Sequence, residues 1–205
     1  MKTIFAVAVS LALAAPAFPA ANVEQSIAAM QGTQASFVQK FVPRGFHKEQ
    51  IEKGVVVFGA SPKMRWTYLG PDQKLQKLFV FDGKTSWFFV PEDRQVTVNT
   101  LDEAQKRDLP FLLLADSDTL TRSYNVKESR KGDILTSQLA SRVPTATFRE
   151  ITVTTSLKDR RVRTLSYTDR QGNRTTFEFG AFGKAAPGAM DFSFSPPPGV
   201  EVVKN

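Results

Sequence analysis

LFVFDGKTSWFFV, residues 78–90, reads as two strands joined by a tight turn. Asp82-Gly83 is the turn signal, because Asp hydrogen-bonds its own turn and Gly accepts a positive φ. The flanking runs are rich in Phe, Val and Trp, which fit a pleated, half-buried surface. Both faces are apolar: Leu78, Val80, Phe88 and Val90 oppose Phe79, Phe81, Trp87 and Phe89. A sheet with one solvated face alternates apolar and polar residues more cleanly. Some element must therefore cover each face, or one face must line a cavity.

Period-two patterning extends on both sides of this hairpin. TQASFVQKF (33–41) sets Ala35, Phe37, Gln39 and Phe41 on one face, and GVVVFGA (54–60) is a nearly continuous apolar strand. In SPKMRWTYLGPD (61–72), Met64, Trp66 and Tyr68 alternate with Arg65 and Thr67. RQVTVNT (94–100) is a further strand. The pattern breaks at LDEAQKRDLPFLLLADSDTL (101–120), the one interior segment with helical character. There Asp108 is expected to cap a short helix, with Pro110 tolerated in its first turn and Phe111, Leu112, Leu114 and Ala115 on a greasy face. Strands resume at 124–129, 133–140, 147–155, 161–169, 174–182 and, as DFSFS, at 191–195. In front, Asn22 to Gln31 is expected to be a helix capped by Asn22 and stopped by Gly32. The chain reads as mainly β with a few short helices, and residues 21–205 form one antiparallel domain. The midchain helices are the natural cover for one face.

Residues 1–20 read as a secretory signal: Lys2, then an apolar stretch from Ile4 to Ala15, then small residues offering cleavage between 17 and 21. That stretch is short for a spanning helix, and the densest later apolar run is Phe111 to Ala115. Export without a spanning segment places the mature chain in the periplasm or outside the cell. The chain has no Cys, which removes disulfides and thiol chemistry. Its formal charge is +7, with the excess in the C-terminal half, a candidate docking surface for an acidic partner. Export and the absence of nucleic-acid-binding patterns argue against nucleic acid.

The residues carry no catalytic constellation. His47 is the only histidine and sits in a Gly- and charge-rich loop. No carboxylate cluster has metal-ligand spacing, no nucleophile elbow pairs with His47, and Asp116 and Asp118 read as caps or turns. No cofactor or metal is expected. An exported hydrolase using carboxylates alone stays open as a lower-ranked alternative. What remains is the aromatic stripe. A concave, greasy sheet under a movable helical cover suits an acyl chain. Moving a chain of ~16 carbons out of water at about 0.8 kcal/mol per CH₂ is favourable by roughly 12 kcal/mol. The cover must open to release it.

These stretches resemble the family of outer-membrane lipoprotein carriers. ASFVQKF (35–41), RWTY (65–68), FDGKTSWFFVP (81–91), LPFLLLAD (109–116), GNRTTFEF (172–179) and FSFSPPPGVEVV (192–203) occur in the family's order. The resemblance implies an incomplete antiparallel β-barrel with a helical lid. It implies a non-enzymatic, monomeric periplasmic chaperone that binds lipoprotein acyl chains. Its partners would be an ABC-type lipoprotein-releasing complex in the inner membrane and a lipoprotein receptor at the outer membrane. Phe37, Met64, Trp66, Tyr68, Phe79, Phe81, Trp87 and Phe89 would line or support the cavity, and Phe111, Leu112 and Leu114 would close it. A carrier of another lipid or glycolipid on the same half-barrel is the alternative. The family's latch arginine precedes the proline of the Trp strand, and here that residue is Ser61. Arg65 is not its replacement, because strand neighbours point to opposite faces. If Trp66 faces the acyl chains, Arg65 faces away.

Overall fold

The structure is a computed structural model that describes residues 22–60, 62–143, 147–186 and 188–204. The expected leader and Ser61 lie outside the described residues. A short helix α1 (Val23–Ala28) opens the chain, and Asn22 Oδ1 caps it by accepting from Gln25 N (2.9 Å). Six strands follow: β1 (Thr33–Val42), β2 (Gln50–Phe58), β3 (Met64–Leu69), β4 (Leu75–Phe81), β5 (Thr85–Val90) and β6 (Gln95–Thr100). The helical interruption comes next, as α2 (Glu103–Arg107), a 3-10 segment (Pro110–Ala115) and α3 (Ser117–Ser123). The chain returns to strands with β7 (Tyr124–Lys131), β8 (Ile134–Ser141), β9 (Phe148–Ser156), β10 (Arg161–Asp169) and β11 (Arg174–Phe179). The short β12 (Gly183–Lys184) and β13 (Glu201–Lys204) close it.

All these strands belong to one open sheet ordered β13-β6-β5-β4-β3-β2-β1-β11-β10-β9-β8-β7, with β12 on the end of β1. Pairing is antiparallel throughout except between β6 and β13. Within β1–β6 and within β7–β11 sequence neighbours pair by hairpins, the helical interruption carries the chain from β6 to the far edge at β7, and β11 closes the second run beside β1. Register shifts at Val162/Thr164 in β10 and at Tyr68/Leu69 in β3 bend the sheet locally. The sheet therefore curls into half a barrel without closing.

Trp66 faces inward with Met64 and Phe79, and α1, the 3-10 segment and α3 cover that inner face. A different element covers the outer face of β2–β6. There Val57, Leu78, Val80, Phe89 and Val96 form a second cluster with Phe192, and Trp87, Val98 and Phe194 pack against it. Phe192 comes from the segment expected to be a strand at 191–195. Residues 191–197 instead run across the sheet face without joining the ladder. The three prolines that follow lack the N–H a ladder needs. The Phe192 ring occupies the space where a Cβ on Gly59 would sit, within 2.5 Å.

Arg65 ties this segment down. Its Nε and one terminal nitrogen donate to Asp191 O (2.9 and 2.7 Å), and the same nitrogen donates to Ser193 O (3.0 Å). Asp191 Oδ1 accepts from Ser193 N (2.9 Å) and Oγ (2.7 Å). Those donors, with Arg65 nearby, hold the Asp191 carboxyl below the usual carboxylate range. Arg65 thus faces away from Trp66, as strand parity requires. Charge-assisted hydrogen bonds of this kind contribute about 1.5–3 kcal/mol each at most, less where water reaches them. Arg65→Ala is expected to cost about 1–2 kcal/mol and to free the C-terminal segment first. Hydrogen exchange would show residues 191–200 losing protection while β1–β4 keep theirs.

The helical interruption differs from expectation in one detail. Asp108 does not cap the segment that Pro110 opens, and the helix ahead of it, α2, is capped by Asp102: its Oδ1 accepts from Gln105 N (2.8 Å), and Gln105 Oε1 accepts from Asp102 N (2.9 Å). This reciprocal pair is a capping box. Asp108 closes α2 instead, and its carboxylate accepts from Thr147 Oγ1 (2.5 Å). Leu109 precedes the 3-10 segment with no side-chain cap, and Pro110 begins it.

All three tyrosines have hydroxyls pushed up chiefly by burial, Tyr167 to about 12 and Tyr68 and Tyr124 in the same direction. Their stabilising effect is fully present below the unfolded value near 10 and is lost as pH rises from about 10 towards 12. In an alkaline titration, tyrosinate absorbance is expected to rise together with loss of the native circular dichroism signal. Free titration near pH 10 in a folded chain would contradict this packing.

Candidate lipid-binding site

The inner face owes its character to row-by-row register. Ala35, Val56, Trp66 and Phe79 lie opposite one another across β1 to β4, and Phe179, Phe37, Gly54 and Tyr68 form the next row. Gly54 is what allows that second row. A Cβ there would fall 1.9 Å from Thr67 O and 2.9 Å from the Phe37 ring. The Phe37 ring therefore lies over the glycine and meets Trp66 edge-on, with centroids 4.8 Å apart.

Trp66 is the centre of an aromatic bowl. Around it stand Phe177 (5.0 Å between centroids), Phe179 (6.0 Å) and Phe58 (6.4 Å), besides Phe37. Its Nε1–H points at Met64 Sδ (2.9 Å), a weak acceptor that keeps the bowl apolar. Into this bowl the cover inserts Phe111. That ring stands 5.7 Å from Trp66, 5.1 Å from Phe79 at nearly a right angle, and 6.4 Å from Phe177. Leu112, Leu113, Leu114 and Ala115 are buried beside it. A void of about 30 Å³ at the cover's edge, bounded by Pro62, Phe81, Lys106, Leu112 and Leu113, has room for roughly one water. The cover is closed, with the partly buried Phe111 ring set against Trp66, Phe79 and Phe177.

The cover is held mainly by burial. A 3-10 segment has poorer hydrogen-bond geometry than an α-helix, so its own backbone contributes little. The helices on either side of it span 5 and 7 residues, too short to be stable alone.

Towards the β1–β2 turn the inner face becomes polar. Tyr68 Oη donates to Gln39 Oε1 (2.8 Å), Gln39 Nε2 donates to Glu52 (3.4 Å), and Lys77 pairs with Glu52. Lys77 Nζ also lies 5.8 Å from the Tyr68 ring centroid. Tyr68 thus joins the bowl, through Phe37 at 5.0 Å, to a hydrated polar rim.

The eleven residues expected at the site do not all meet. Phe37, Met64, Trp66, Tyr68, Phe79 and Phe81 share the inner face with Phe111, Leu112 and Leu114. Trp87 and Phe89 lie on the outer face, under the C-terminal segment. The hairpin turn is the reason. Phe81 pairs with Ser86 and Phe79 with Phe88, so Trp87 sits beside Val80 and Phe89 beside Leu78. The sequence reading missed Phe58, Phe177, Phe179 and Leu113, although Phe177 and Phe179 alternate visibly in RTTFEF. His47 is exposed. Among the described residues, no group of three or more His, Asp or Glu side chains is placed to hold a metal. A broad open depression of about 920 Å³ lies on the outer side of β1–β3, with Ser36, Val38, Lys53 and Val55 in its wall. Strand parity puts it on the side opposite Trp66, outside the bowl.

The profile of the family described as outer membrane lipoprotein carrier protein LolA matches residues 28–195. The outer-membrane lipoprotein carrier protein of Photobacterium profundum is 34% identical, over 95% of this chain and 97% of the relative. That of Chromobacterium violaceum is 30% identical, over 99% of this chain and 96% of the relative. The solved structure of an uncharacterized conserved protein from Thermus thermophilus superposes with a TM-score of 0.50 at 13% identity. It covers 90% of this chain and all of that one, and shows the shared fold alone. By profile and by whole-length relatives, the chain belongs to the family of outer membrane lipoprotein carrier proteins, and it is a periplasmic carrier rather than an enzyme.

Proposed function

We propose that this protein takes the acyl chains of lipoproteins between the aromatic bowl and its helical cover, and carries them from the inner to the outer membrane. One observation carries the reading: Phe111 of the cover fills the bowl that Trp66, Phe79 and Phe177 leave. An acyl chain that displaces this ring finds an apolar surface already built. The bowl therefore stays dry when empty of cargo, and it opens by movement of segments with little internal cohesion. Phe37, Met64, Trp66, Phe79 and Phe81 form the floor, and Phe111, Leu112 and Leu114 form the cover. Tyr68 stands where the cargo's polar end emerges. Trp87 and Phe89 support the floor from behind.

In this route a monomeric carrier is loaded by an ATP-driven complex of the inner membrane and unloaded by a receptor at the outer membrane. Depletion of the protein in its native host, followed by membrane fractionation, tests it. Outer-membrane lipoproteins are expected to accumulate at the inner membrane. Their arrival at the outer membrane at normal rates would contradict the proposal. Arrival unchanged together with loss of another lipid class would assign the bowl to that lipid instead.

A further inference from the structure

At the end of the half-barrel remote from α1, the β1–β2 and β10–β11 turns stand side by side. Arg44 N donates to Asn173 Oδ1 (3.0 Å), and the Arg44 stem lies against Gly172, where a Cβ would approach to 3.0 Å. The β1–β2 connection, PRGFHKE at 43–49, is closed by Phe46 N donating to Pro43 O (3.1 Å), with Gly45 at φ +82°. Within this fixed turn Phe46 is 66% exposed, well above the other exposed large apolar residues among those described.

A single exposed apolar side chain is ordinary. The surroundings set this one apart. Arg44 and Lys48 lie on the same turn, and Arg174 flanks the neighbouring one. The acidic residues nearby offset them incompletely. Glu49 follows Lys48, while the Asp169 carboxylate is turned to its own loop, accepting from Asn173 N and Nδ2 (both 2.8 Å). The tip presents one aromatic ring within a collar of cations. That combination fits the boundary of an anionic bilayer, where a ring sits at headgroup depth and Arg and Lys meet phosphates.

We propose that this double tip is a foot by which the carrier docks, reversibly, on an anionic lipid surface. The proposal stands apart from the acyl-chain reading, since it concerns the unloaded protein and a surface outside the bowl. The purified protein in its exported form is mixed at low salt with phosphatidylcholine vesicles, with or without phosphatidylglycerol, and floated on a density gradient. Phe46→Ser and the double variant Arg44→Gln/Lys48→Gln are compared with wild type. Ile134→Ser, which removes another exposed apolar residue, serves as control. Thermal melting confirms that each variant is folded.

Wild type is expected to float with the anionic vesicles and not the neutral ones. Partition should fall about tenfold in either tip variant, stay unchanged in Ile134→Ser, and weaken with added salt. Absence of flotation, or equal flotation by Phe46→Ser, would overturn the proposal. So would tip variants that leave flotation untouched yet impair hand-off to a protein receptor, which would make the tip a protein-docking site.

Discussion

Trp66→Glu is expected to abolish acyl-chain binding and to lower stability by about 4 kcal/mol or more. Trp66 is 1% exposed and is ringed by Phe37, Phe58, Phe111, Phe177 and Phe179. A glutamate there loses the packing of the indole and places a carboxylate among rings that offer it no donor. It would hold its proton well above the usual range, so the loss should be smaller in mild acid than at neutral pH. Trp66→Phe keeps a ring and should retain most of the stability, which separates the buried charge from the change of shape. Urea denaturation and acyl-chain binding, measured on both variants, check the pair. A Trp66→Glu protein that is as stable as wild type and loads normally would remove Trp66 from the floor.

Phe111→Ala should move two quantities in opposite directions. Stability is expected to fall by about 2–4 kcal/mol, the cost of deleting a large apolar side chain from a packed site. Binding of an apolar dye by the unloaded protein is expected to rise several-fold, because the bowl loses its occupant while the floor stays intact. The same truncation at Phe89, behind the sheet, should lower stability without raising dye binding. That contrast distinguishes a plug from an ordinary core residue. A Phe111→Ala protein that is less stable yet takes up no more dye would mean that the cover collapses onto the bowl.

Much of this arrangement is legible in the sequence, and the parts that are not have identifiable physical causes. The half-barrel follows from period-two runs with hairpin signals. The opposite orientations of Arg65 and Trp66 follow from strand parity. The placing of Trp87 and Phe89 was legible but misread: a two-residue turn pairs odd positions with even ones, so Trp87 cannot share a face with Phe79. The Asp82 hydrogen bonds to Lys84 N (2.8 Å) and Thr85 N (2.6 Å) fix that turn. DFSFS alternates like a strand because one side of it is buried, yet it covers the sheet rather than extending it. Only the triple proline behind it hints at this. The insertion of Phe111 into the bowl was not legible. Its partners Phe79 and Phe177 lie 32 and 66 positions away in the chain, and no local pattern selects which ring of the cover enters.

The chain contains two tryptophans, one on each face of the sheet, and they give the most direct test of where cargo binds. Trp87→Phe leaves Trp66 as the only indole, and Trp66→Phe leaves Trp87. Each protein is titrated with a diacylated lipopeptide carrying bromine on its acyl chains, which quenches indole fluorescence on contact. Acyl chains between floor and cover should quench Trp66 strongly and leave Trp87 nearly unchanged. Quenching of Trp87 alone, or of neither indole at saturating lipopeptide, would contradict the account.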